Sequence, residues 1–295
     1  MPFDAFMETA WNDHGDRPQE VADRLSGSLQ VIETAEQIPP FARLLTHVFG
    51  EHLGQWRQGI ALLESLRSLP AFDGSPAVTG ALARSVGVLR YASGDSQALE
   101  PLSREDRVTV LATVSSALAA RGEFTQALSA YSEALQLADT GLPAGSPAIR
   151  ALAVGGNNLA TSLELKKDRD ASETAGMIVA AEGGLKYWKQ AGTWLEEERA
   201  EYRLARSLLQ AGKAEPAIQS ARRCIDVCSS NDAPAFEQFF GYAVLALAQR
   251  AAADVAGFAA SREHARRLYE LVPAAERQWC ESDLAELADA PATAT

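Results

Sequence analysis

The sequence predicts an all-α protein built from stacked antiparallel helix pairs. Three observations carry that prediction. Almost every segment places its apolar residues at helical period. Sustained apolar–polar alternation is scarce, and no Asn-Gly or Asp-Gly turn joins two β-branched runs; Asp73-Gly74 joins two helical patterns instead. Finally, the chain resembles itself at a spacing of about 45 residues, and internal repetition decides the fold class.

Gly122 marks the clearest copy. Leu111, Val114, Ser115 and Leu118 precede it on one helical face; Ala127, Tyr131 and Ala134 follow on another. Gly212 stands 90 residues later, with Glu201, Leu204, Ala205 and Leu208 before it and Ala217, Ala221 and Cys224 after, at the same offsets. Midway, Leu159, Ala160 and Leu163 precede a turn at 166–168, and Ser172, Gly176 and Val179 follow. Ser103 is placed to cap the helix that enters the first copy, with Leu102 as staple. Pro39-Pro40, Pro70, Pro143, Pro147, Pro216 and Pro273 stand at helix starts or just past ends.

The flanks are weaker copies. "LGQWRQGIALLESLRSLP" carries Gly54, Trp56, Gly59, Leu63, Leu66 and a terminating Pro70. "WNDHGDRPQEVADRLSGSL" around Gly15 is fainter, and residues 96–102 are too short for a full second helix. Leu245 and Ala246 belong to a last copy. The expected layout is one repeat domain over 1–290. Its pairs are irregular over 1–102 and clearer over 103–272, with a capping helix over 273–288. A frayed tail is expected over 289–295.

Small residues at the contacts have a physical reason. Alanine lets paired helices approach near the lower end of roughly 8–10 Å. Ala127 and Ala134 are expected at such contacts, with Tyr131 filling space towards the next unit.

Composition narrows function. The 295 residues are 47% hydrophobic, enough for a large core, and the net charge of -12 argues against nucleic acid as main partner. The N-terminus has neither the basic nor the apolar region of a secretory signal, and Gln249, Arg250 and Asp254 interrupt the longest apolar stretch. With three cysteines only, a soluble cytoplasmic protein is expected, with no membrane partner.

No nucleophile elbow, phosphate loop or dinucleotide fingerprint occurs, so neither catalysis nor a cofactor is expected. His14, His47, His52 and His264 do not suggest a metal: His47 and His52 are five apart, which separates them on an α-helix, and "GEHLG" is no zinc-protease pattern. Cys224 and Cys228 are expected to be packed core thiols.

These residues together resemble the tetratricopeptide repeat. Leu111, Val114, Ser115 and Leu118 match its first helix, Gly122 its turn, and Ala127, Tyr131 and Ala134 its second helix. Leu208, Gly212, Ala217 and Ala221 match in the second good copy. The family repeat is 34 residues, so a spacing nearer 40–45 points to the extended-repeat branch. Pro70 stands where the family's terminating proline does; Asp139 takes that place in the best copy.

The resemblance implies a right-handed superhelical α-solenoid that binds a protein or peptide along its concave groove. A self-assembling structural module, with a homodimer, or a small-molecule or peptide-sensing regulator stays open. The family offsets put Arg199, Tyr202 and Arg206 in that groove, with Arg203 beside them and Asn157, Asn158 and Thr161 facing from the preceding copy. That set is similar to the family's carboxylate clamp and would grip an acidic side chain or chain end.

Glu196 is placed to pair with Arg199. Arg203 and Arg206 have no acid three or four residues away, so their counter-charge is either a ligand's or that of Glu164, Asp168 or Asp170.

Overall fold

The computed structural model describes residues 1–288; the tail expected over 289–295 lies outside the described residues. Helices fill the chain, and no strand occurs among the described residues. The chain divides into two compact units, Met1–Gly155 and Gly156–Thr295.

The first unit contains α1 (Phe3–Asp13), α2 (Pro18–Gly27), α3 (Ile38–Thr46), α4 (Trp56–Ser65), α5 (Pro76–Ala92), α6 (Arg104–Ala120) and α7 (Phe124–Ala138). The boundary between the units falls inside α8 (Pro147–Leu165). The second unit holds α9 (Ala171–Ala191), α10 (Trp194–Gln210), α11 (Ala214–Ser230), α12 (Ala235–Ala251), α13 (Val255–Leu271) and α14 (Glu281–Glu286). Consecutive helices pack on one another, most extensively in the pairs α6–α7, α10–α11 and α12–α13.

Local sequence sets the helix ends. Ser103 Oγ accepts from the Asp106 N–H at 3.1 Å, as its spacing predicted. Asp170 with Glu173 and Thr193 with Glu196 form reciprocal capping boxes at α9 and α10. Gly122 and Gly212 close their turns at φ +78° and +72°, a backbone that favours glycine. Between Gly94 and α6 the chain makes only a 3₁₀ turn, Ser96–Leu99, in place of a second helix.

The alanine stripe packs as expected. Ala127, Ala130, Tyr131 and Ala134 are buried, and the Tyr131 hydroxyl donates to the Leu152 carbonyl on α8 at 2.9 Å. Tyrosine is useful here because its hydroxyl ties the neighbouring helix after its ring has filled the gap. Where α8 crosses α6, a Cβ on Gly155 would stand 2.5 Å from the Ala112 carbonyl oxygen, so only glycine permits the approach. Leu118, Leu208, Ala217 and Ala221 are buried in their units. The second unit centres on Phe239, Ala243, Ala246, Leu247, Ala265, Leu268 and Val272.

Two expectations about register fail. In the middle copy Val179 is 47% exposed, while Met177 and Ala180 are fully buried. Its turn runs from Lys166 to Asp170 before α9 starts, longer than the turns at Gly122 and Gly212, so the buried face rotates. Near the N-terminus, His47–His52 form a π-turn after α3, with the Leu53 N–H bonded to the Val48 carbonyl five residues back at 3.1 Å. A π-turn brings residues five apart onto one face, so His47 and His52 are neighbours, contrary to the α-helical expectation.

Candidate functional site

The residues expected to line a groove lie in the second unit. Arg199, Tyr202, Arg203 and Arg206 share α10, and each already meets an acid of this chain. Arg203 Nη1 bonds the Glu164 carboxylate on α8, whose other oxygen accepts from Ser207 Oγ at 2.6 Å. Arg206 forks over Glu286, with Nη1 and Nη2 at 3.0 and 2.8 Å from its two oxygens. The Tyr202 hydroxyl donates to Asp283 Oδ1 at 2.6 Å. Arg199 holds both oxygens of Glu237 on α12, through Nη2 and through Nε at 3.2 Å, and Glu196 adds to the negative charge around it.

The counter-charge therefore comes from inside the chain, Glu164 among the candidates the sequence left open. Arg199, Arg203 and Arg206 thus do not stand free as a carboxylate clamp: carboxylates from neighbouring helices hold them, with Arg203 and Arg206 largely covered and Arg199 exposed. Burial nonetheless pushes the Glu164 carboxyl up, against the pull of Arg203. It also pushes up the Tyr202 phenol, with Asp283 adding to it. Asn157 and Asn158 are half-buried, and Thr161 donates back to the Asn157 carbonyl at 2.8 Å.

Behind this row, Glu198, Cys224 and Cys228 converge in the core, each no more than 1% exposed. Glu198 Oε2 lies 3.4 Å from Cys224 Sγ and 3.8 Å from Cys228 Sγ. Burial, then the adjoining Glu237 carboxylate, pushes the Glu198 carboxyl well above the usual carboxylate range. The thiols are packed core groups, as expected from their spacing.

The first unit offers a site that the helix-face reading missed. A cleft of about 610 Å³ is lined by Trp56, Tyr91, Leu118, Arg121, Glu123 and Gln126, among others. Arg121 lies in the turn beside Gly122, packs over Gly54 (φ +65°), and donates from Nη1 to the His52 carbonyl at 3.2 Å. It makes no ion pair among the described residues. Burial, with Glu133 adding, raises the Tyr91 phenol, which stays a neutral donor at physiological pH. Arg121 and Gly54 are visible in the sequence only as turn residues, and faces of helices say nothing about turns.

Fold and cleft define an all-α protein of consecutively packed helices. No family model matches the chain, and no curated protein matches it. No helix among the described residues is long and apolar enough to cross a membrane.

Proposed function

We propose that this chain is a peptide-binding helical-repeat protein of tetratricopeptide type, wound as a right-handed superhelix and acting by binding rather than catalysis. The ligand-binding surface is the cleft around Arg121, not the arginine row of α10. One observation carries this reading: Arg121 lines an open cleft beside Trp56 and Tyr91, and among the described residues no carboxylate pairs with it, Glu123 of the same lining included. A guanidinium takes a carboxylate through two parallel hydrogen bonds. Trp56 and Leu118 supply an apolar wall for a neighbouring side chain, and the Tyr91 hydroxyl a polar anchor. The ligand is a peptide whose acidic side chain or chain end adjoins an apolar residue.

Peptide display against the full chain tests this. Selected peptides are expected to share an acidic position beside an apolar one. Their affinity should fall at least about tenfold on Arg121→Glu, which removes the charge-assisted pair and puts a like charge in its place. A selection without enrichment, or peptides that bind the variant equally well, would sink the proposal.

A further inference from the structure

Three of the four histidines meet in the first unit, outside the lining of the Arg121 cleft. His14 follows α1, and His47 and His52 open and close the π-turn. One ring nitrogen of each lies within 4.8 Å of those of the other two. The imidazole centroids are 5.0 Å (His14–His47), 5.1 Å (His14–His52) and 4.7 Å (His47–His52) apart. All three rings are half-buried, within reach of solvent.

The outer nitrogens of two rings are already committed. His47 Nδ1 is 3.0 Å from Glu51 Oε2, and His14 Nδ1 contacts the Trp11 carbonyl oxygen. A carboxylate and a carbonyl only accept, so both Nδ1 atoms carry the proton, and in the neutral rings both Nε2 atoms present lone pairs. This is the outer-shell arrangement that orients metal-binding histidines. His52 Nε2 points at His47 Nε2 from 3.1 Å. Ligands placed tetrahedrally at 2.0–2.1 Å from one ion stand about 3.3–3.4 Å apart, so that pair is almost at coordination distance.

We propose that His14, His47 and His52 form a three-histidine site for a divalent transition metal of the zinc class, with a fourth position left to water or a ligand. Neutral imidazoles suit zinc, copper, nickel and cobalt over magnesium or calcium, which take oxygen ligands. Glu51 supplies a negative charge behind His47. Without an ion, His52 must turn an N–H towards His47 to avoid two facing lone pairs. On binding, that proton moves to His52 Nδ1, which frees Nε2 for the metal.

Calorimetric titration of the tag-free, chelator-stripped full chain with zinc chloride tests the site, with cobalt(II) absorption as a second readout. The expected result is one saturable zinc ion per chain and cobalt bands of a nitrogen-rich tetrahedral site. Both should weaken at least about a hundredfold in His14→Ala and His52→Ala, and about tenfold in Glu51→Gln. His264→Ala, which alters the remaining histidine, should bind normally. Should His52→Ala fail to fold, His14→Ala, at the end of α1, decides the matter alone. No saturable binding in the parent chain, or full affinity in His14→Ala, overturns the proposal.

Discussion

The α10 arginines of the second unit and Arg121 of the first meet opposite surroundings, although the first unit closes other pairs such as Arg84–Asp106. In Gly156–Thr295 the arginines of α10 close onto Glu164, Glu237, Asp283 and Glu286, and Glu198 is sealed among thiols. In Met1–Gly155, Arg121 has no ion pair among the described residues, and three imidazoles crowd together within reach of solvent. A dense cluster of charge in a sequence is therefore a poor guide to a binding site. What matters is whether the fold supplies the counter-charge. Where it does, the cluster becomes structure; where it does not, the groups remain available to a ligand.

Removing an arginine from each unit puts that contrast on a scale. Arg203→Ala leaves the Glu164 carboxyl, whose side chain is only 8% exposed, without its cation. Breaking a buried pair from one side costs about 3–5 kcal/mol, and chemical denaturation should show a loss of that order. Adding Glu164→Gln should recover part of it, because the orphaned charge is gone. A loss below about 1 kcal/mol for the single variant would mean that the second unit does not depend on its closed pairs.

A pH series probes the sealed core. Because the Glu198 carboxyl is raised in the folded chain, folding retains a proton that the unfolded chain releases above about pH 4.3. The folded state then binds more protons, so this group's contribution falls as pH rises, by up to about 1.4 kcal/mol per pH unit, until the folded pKa is passed. Glu198→Gln keeps the neutral shape and removes the dependence. Its melting temperature should gain on the parent's steadily from pH 5 to pH 8. A gap independent of pH would show that Glu198 is charged in the core.

The fold was more legible in the sequence than the site, for physical reasons. Helix pairs repeat a packing requirement, and Ala127, Tyr131 and Ala134 record it in residue type and spacing. Ser103 was legible too, because a cap is a local bond. The register of α9 was not, because Lys166–Asp170 lengthens a turn without leaving a glycine to mark it. Nor was the meeting of His47 with His52, which depends on a π-turn that breaks the helical period used to place them. The acids facing α10 come from 38 to 81 residues away in sequence, for Arg199 with Glu237 and Tyr202 with Asp283, beyond any spacing rule.

The smallest expected effect is the most discriminating. Arg121→Ala deletes an exposed guanidinium with one hydrogen bond, to the His52 carbonyl at 3.2 Å, and no carboxylate to orphan. Surface changes of that kind stay within about 0.5 kcal/mol. The melting temperature should therefore hardly move, while affinity for selected acidic peptides falls. An unaltered fold with lost binding would separate the two roles of arginine in one chain: a structural cation at Arg203, whose removal the fold feels, and a recognition cation at Arg121, whose removal only the ligand feels. A loss of stability as large as that of Arg203→Ala would instead make Arg121 a second structural cation and remove the asymmetry between the units.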